Sequence, residues 1–307
     1  MNRMRWASVP VLAWLAATGA CGGGAQESAT PATAAEATDV APAGTAETTY
    51  DDDSTAELRD HDRHHHHGGF AMFIAMSLVS LGTSPEEDAT LAKIQADIRA
   101  KLQPAHDAEK NLMLTLADGV AAGNIDQGKV DAAVSQVSSA AAGVHDAVAA
   151  SLNQLHDVLT PEQRAALVDK VEAHLHVWRE ANSDGQPTKD SREGRLAELQ
   201  RSLALTPDQV EKVRASLASS MARGGEYDWK EGQASLEAFR TAFTSEHFDA
   251  KSLEMSGPAN AHIATWGATR MSRFYEAVGP VLSADQRARL ADILRRHANY
   301  STSQTAT

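Results

Sequence analysis

Leu159-Thr160-Pro161-Glu162-Gln163 is a phrase that this chain repeats. It returns as Leu205-Thr206-Pro207-Asp208-Gln209 and again as Leu282-Ser283-Ala284-Asp285-Gln286. A degenerate copy, Thr83-Ser84-Pro85-Glu86-Glu87, precedes all three. Its chemistry is that of a helix start. Thr or Ser serves as N-cap, its hydroxyl accepting from the amide three residues on, and Gln at that third position reaches back to close a capping box. Pro at the first helical position gives up no hydrogen bond, and Glu or Asp at the second suits the positive end of the helix dipole. The residues Leu159, Thr160, Gln163, Leu205, Thr206, Gln209, Leu282, Ser283 and Gln286 are therefore read as structural cap motifs rather than ligand-binding groups.

Around these phrases the chain reads as all-α. The residues Val130, Val134, Val137, Ala141, Val144, Val148, Leu152 and Leu155 recur at spacings of three and four, which puts them on one helix face. No segment alternates like a strand between turn signals. Breaks are expected at Pro104, Asp118 to Asn124, Thr160-Pro161, Asn182 to Pro187, Thr206-Pro207, Gly224-Gly225, Gly257-Pro258 and Gly279 to Ser283. Phe70 to Leu81 is an apolar stretch too short to cross a bilayer and suited to a first core helix.

The spacing of the phrases reveals a duplication. Leu282 lies 123 positions after Leu159, and Pro207 lies 122 after Pro85. Aligned without gaps, 125–174 and 248–297 share ten identities, among them Gln163/Gln286, Arg164/Arg287, Asp169/Asp292 and His174/His297. Two tandem helical units are expected, 70–182 and 195–299, followed by a disordered tail at 300–307.

The amino-terminal part has a different composition. Arg3 and Arg5 precede an apolar run from Trp6 to Ala17, which fits a signal peptide over residues 1–20. Thr18-Gly19-Ala20-Cys21 resembles a bacterial lipobox, with Thr18 where the usual pattern has Leu. That resemblance implies lipidation of Cys21, the only cysteine of the 307 residues, and a firm membrane anchor. Gly22 in place of Asp points to the outer membrane of Gram-negative bacteria. An ordinary secretory signal cut near Ala20, leaving Cys21 a free thiol, is the alternative. Residues 21–69 read as a disordered acidic tether rich in Gly, Ala, Thr and Glu. The formal charge is −13; without Arg3 and Arg5 it is −15, of which −8 falls within residues 21–63. The remainder, at −7, is only mildly acidic.

The tether ends in His61-Asp62-Arg63-His64-His65-His66-His67. Neutral imidazoles bind Zn, Cu or Ni, so His61, His64, His65, His66 and His67 are candidate metal ligands. A solvated linker or a cloning tag would show the same run. His174, His176 and His297 are further candidates, although two residues of separation on a helix point His174 and His176 to different sides.

Composition excludes several classes. One cysteine makes no intrachain disulfide and no Cys-based zinc or iron–sulfur site. The acidic balance argues against a nucleic-acid partner. No Gly-x-x-x-x-Gly-Lys, Gly-x-Ser-x-Gly or His-Glu-x-x-His phrase is present, so an enzyme is the least expected class.

Leu-Thr-x-x-Gln phrases near both ends of a helical unit of about a hundred residues resemble the Spy/CpxP family of bacterial periplasmic proteins. The likeness is fuller in the second unit, through Leu203 to Gln209, Phe243 to Asp249 and Val281 to Gln286. The His run resembles the zinc-resistance-associated and metal-sensor branches. The resemblance implies bent helical hairpins that pair, here as an intrachain pseudo-dimer, and a concave face that holds unfolded or misfolded envelope proteins without ATP. A basic cradle is not matched by this mildly acidic region, so apolar side chains are expected to carry more of the binding. No cofactor is implied. The alternative reading is a periplasmic metal buffer or sensor with Zn, Cu or Ni. In both, the protein touches the membrane only through its lipid anchor.

Overall fold

In the computed structural model, described for residues 69–78, 81, 84–182, 189–222, 227–253 and 256–304, helices begin where the sequence offers caps. They are α1 (Gly69–Ser77), α2 (Pro85–Ala122), α3 (Gln127–Val158), α4 (Pro161–Asn182), α5 (Lys189–Leu203), α6 (Pro207–Ala222), α7 (Trp229–Phe243), α8 (Ser256–Val278) and α9 (Ala284–Gln304). Short 3-10 turns at Ala250–Ser252 and Gly279–Val281 lead into and out of α8. Among the described residues the fold is all-α, and no helix is long and apolar enough to cross a membrane.

Three sequence expectations are corrected. Pro104 breaks nothing: α2 runs through it for 38 residues. Proline removes one hydrogen bond from a helix interior, but Pro104 faces solvent while Leu102 and Ala105 on either side are buried and hold both turns in place. The last helix does not stop at 299 but runs to Gln304, and residues 305–307 lie outside the described residues. The break at Gly257-Pro258 sits inside the first turn of α8, where proline is tolerated.

The valine stripe of α3 behaves as its spacing requires. Val130, Val137, Ala141, Val144, Val148, Leu152 and Leu155 are buried, and Val134 is half-buried at the edge of the stripe. The helix is central, packed against α2 along one side and α8 along the other. Helix α2 continues onto α9, α4 meets α7, and α6 meets α8.

The core varies in side-chain size along the bundle. Where α2, α3, α8 and α9 meet, it is Leu112, Leu116, Ala117, Ala133, Ala141, Ala264, Ala268, Ala291 and Leu294. Small residues let helix axes approach closely. Where α1, α4 and α7 meet, it contains Phe70, Phe73, Trp178, Phe239 and Phe243. Helix α1, GFAMFIAMS, is apolar nearly all round and is buried accordingly. Its start demands a glycine. Gly69 has φ +54, and a Cβ there would stand 2.7 Å from the Asn260 Cα. This close approach lets the Phe70 amide donate to Asn260 Oδ1 at 2.7 Å, tying α1 to the start of α8.

Candidate functional site

The four phrases each form a complete capping box. The Ser84 amide donates to Glu87 Oε2 at 2.7 Å, and the Glu87 amide to Ser84 Oγ at 3.3 Å. The Thr160 pair with Gln163 measures 2.9 and 3.2 Å, Thr206 with Gln209 3.0 and 3.3 Å, and Ser283 with Gln286 2.9 and 3.3 Å. The copy called degenerate in sequence closes like the others because Glu accepts as well as Gln does. The preceding leucines Leu159, Leu205 and Leu282 are buried, so each phrase also pins the chain entering its helix to the core.

The boxes meet in pairs, which their spacing did not reveal. Gln209 Nε2 donates to Gln286 Oε1 at 2.7 Å, and Gln286 Nε2 returns a bond to Gln209 Oε1 at 3.0 Å. Gln209 Nε2 also reaches the Val281 carbonyl, and Gln286 Nε2 the Ala204 carbonyl. The starts of α6 and α9 are thereby clamped side by side. In the first half Gln163 Nε2 donates to Glu87 Oε2 at 3.4 Å, clamping α4 to α2. The hydrogen bonds from Ser84, and then the one from Gln163, hold the Glu87 carboxyl below its ordinary value.

The arginines after Gln163 and Gln286 reach into the opposite half. Arg164 is buried, and its Nη1 donates to the Ser245 carbonyl at 3.0 Å, at the end of α7. Its counterpart Arg287 lies over Gly123, at the end of α2, with Nε 3.1 Å from where a Cβ would stand. Gly123 has φ +72 and closes α2 in the left-handed conformation, so the absent side chain serves both the turn and the guanidinium. Residues 123 and 245 are equivalent at the repeat offset of 122.

An ion pair repeats with its charges exchanged. Arg295 Nη2 donates to Asp118 Oδ1 at 2.8 Å across α9 and α2. At the equivalent positions Arg240 pairs with Glu172 across α7 and α4, and also donates to Asp169 Oδ1 at 3.2 Å.

Rings crowd the end of the bundle that holds α1. His156 stacks on Phe248 at 5.3 Å between centroids and meets Phe243 edge-on at 5.5 Å. Its Nε2 lies against both the Arg164 guanidinium and, at 3.0 Å, the Ser245 carbonyl. A few turns away Trp178 packs edge-on against Tyr227, Trp229 and Trp266. The half-buried indoles of Trp229 and Trp266 carry Arg179 and Arg270 over their faces, at 5.2 and 5.1 Å. Beside them Glu231 hydrogen-bonds His262 Nδ1.

Of the candidate ligands read from sequence, Cys21, His61, His64, His65, His66 and His67 lie outside the described residues. His174 and His297 are half-buried and His176 is exposed. Among the described residues no group of three or more His, Cys, Asp or Glu is gathered to hold a metal. Sequence reading passed over His156, Tyr227, Glu231 and His262. The identity Arg164/Arg287 was visible, and it marked the contacts between halves.

Residues 71–170 match the model of the LTXXQ motif family, about a third of the chain. The match runs from α1 into α4 and so falls on the first half, although the phrase is fuller in the second. No curated protein and no solved structure matches the chain.

Proposed function

We propose that this is an envelope-stress protein on the periplasmic side of the bacterial envelope, anchored by lipid at Cys21, which binds unfolded clients without ATP. The match of residues 71–170 to the LTXXQ motif family carries this reading. The geometry supports a paired arrangement of two related halves. Arg164 and Arg287 each reach the equivalent helix end of the other half, and the Asp118–Arg295 and Arg240–Glu172 pairs stand at equivalent places. An intrachain pseudo-dimer accounts for all four contacts at once. The half-buried Trp229 and Trp266, with their arginines, supply apolar and cationic contact for an extended chain.

The test is light scattering by a chemically denatured client diluted into the full-length protein. Suppression of aggregation at equimolar ratio without nucleotide is expected, weakened several-fold in the Trp229→Ala/Trp266→Ala variant. Unchanged scattering at that ratio would sink the chaperone reading.

A second reading, metal buffer or sensor, is favoured by one observation besides the His run. Glu231 orients His262 in the manner of a metal ligand with its supporting carboxylate. Calorimetry with zinc on the wild type and on a variant lacking residues 61–67 tests it; no heat of binding in either excludes a metal role.

A further inference from the structure

Helix α1 starts without the device that starts α2, α4, α6 and α9. The residue before Gly69 is Gly68, which has no side chain to cap with, and no Leu-Thr-x-x-Gln phrase precedes it. Its nine residues are too few to hold a helix on their own, since isolated helices below about 12–15 residues are marginal in water. Groups at both of its ends are satisfied from other helices. The Phe70 amide donates to Asn260 Oδ1 of α8 at 2.7 Å, and Gln95 Nε2 of α2 donates to the Ala75 carbonyl at 2.9 Å. The helical form of α1 therefore depends on the surface it lies against.

The way it lies there is that of a helix bound in a groove. Phe70, Phe73, Ile74 and Ser77 are buried and recur at i, i+3, i+4 and i+7, the anchor pattern of helical peptides in apolar grooves. Phe70 meets Phe239 of α7 edge-on at 5.4 Å between centroids, and the Phe73 ring lies 6.4 Å from that of Trp178 of α4. Met72 and Met76, one turn apart, are half-buried, so water reaches that side of α1. The seam between α2 and α9 is made differently. Its core consists of Leu112, Ala117, Ala264, Leu294 and other small or aliphatic side chains of α2, α3, α8 and α9 themselves. One seam is closed by the long helices, the other by an inserted short one.

We propose that α1 is the displaceable occupant of a client groove built around Trp178 and Phe239, with Asn260 and Gln95 as its polar ends. The groove takes a short apolar segment of an unfolded protein, which turns helical on binding and presents aromatic or branched side chains at i, i+3 and i+4. The proposal rests on the chaperone reading and assigns it a site. Asn260 and Gln95 hold an amide and a carbonyl of the main chain, which nearly any sequence can supply. Selectivity then falls on the apolar anchors alone. While no client is present, α1 keeps the rings from forming an exposed apolar patch. Its attachment in the same chain gives it a high effective concentration, which sets the affinity a client must exceed.

A fluorescein-labelled peptide of residues 69–78, with lysines added for solubility, is titrated into the full-length protein and read by anisotropy. Weak binding to the wild type is expected. Gly69→Ala leaves the groove intact and dislodges its occupant, since the added Cβ would stand 2.7 Å from the Asn260 Cα. Phe73→Ala removes an anchor from the occupant and likewise leaves the groove intact. Each variant should bind the peptide about tenfold more tightly than the wild type. A peptide carrying Phe73→Ser and Ile74→Ser should bind none of the three proteins. Hydrogen exchange checks the folding of each variant: α1 amides should exchange faster while those of α3 keep their wild-type protection. Ile74→Val, a milder loss of an anchor, repeats the titration should Phe73→Ala lose that protection. Wild-type peptide affinity in the folded variants would overturn the proposal. Client aggregation measured on the same proteins separates it from the reading beneath it. Suppression that is equal in wild type and variants, with no peptide bound, overturns the groove and keeps the chaperone reading. Tighter peptide binding in the variants, with no suppression by any protein, upholds the displaceable helix and overturns the chaperone reading.

Discussion

The seam between α2 and α9 and the seam between α4 and α7 stand at equivalent places in the two halves, yet they are built from different materials. In the first, Ala117 meets Leu112, Leu116, Ala291 and Leu294 in a core of small and aliphatic side chains. In the second, the position equivalent to Ala117 is Phe239, which stacks on Phe243 at 4.9 Å and meets Phe70 of α1 edge-on at 5.4 Å. The ion pair above each seam keeps its place and exchanges its charges. The two seams thus share a geometry of contact while the residues making it differ. The aromatic seam has room for α1, and α1 is what its rings pack against. The polar helix α5, at the corresponding place before the second phrase, brings no such apolar face.

The largest break in the comparison is expected from emptying the aromatic seam. Phe239→Ala should cost about 3–5 kcal/mol, because it removes a fully buried ring and leaves a cavity between α1 and α7. Ala117→Leu, which overfills the equivalent position, should cost about 1–3 kcal/mol. Urea denaturation of both variants measures the two values. Equal costs would mean that the seams are packed alike after all.

The arginines come next. Arg164→Met removes a buried charged donor from the Ser245 carbonyl and from His156, and should destabilise by about 1.5–3 kcal/mol. Arg287→Met should cost less, because that guanidinium donates within its own half, to the Leu282 carbonyl at 2.8 Å. If the order is reversed in thermal melts, the contact over Gly123 is the stronger of the two.

The clamps differ by a single ionisable group. Gln209→Ala or Gln286→Ala should each cost about 1 kcal/mol, and the double variant should cost less than the sum, since each amide is the other's partner. Nearby Ala204 holds φ +51, a left-handed conformation that alanine rarely adopts. Ala204→Gly should therefore stabilise the second clamp by about 0.5–1 kcal/mol.

The smallest effect concerns pH. Glu87 is held below the ordinary 4.5, so the clamp is fully present above that value and is lost as pH falls through the lower folded value. The clamp of two glutamines does not titrate. Hydrogen exchange at the starts of α2 and α4 should accelerate on acidification below about pH 4.5 relative to α6 and α9. Glu87→Gln should abolish that difference; if it persists, Glu87 is not its source.

Much of this architecture was legible in the sequence because capping is local. Thr160 and Gln163, three residues apart, carry everything their box requires, and the valine spacing of α3 names its own buried face. The offset of 122–123 residues between the phrases was legible because it needs only comparison of the chain with itself. Pro104 misled because a proline's effect depends on which way its turn faces, and that is set by the neighbours α2 packs against. The pairing of Gln209 with Gln286 was hidden because their 77-residue separation is bridged only by tertiary contact. His262 and Glu231 looked like ordinary surface residues, 31 positions apart on different helices. The sequence by itself determined the helices and their starts, since those follow from hydrogen bonds and periodicities within a few residues. Tertiary structure alone decided which caps clasp one another, which arginine reaches which helix end, and which carboxylate meets His262. Those outcomes depend on how apolar faces of different side-chain size bring distant segments together.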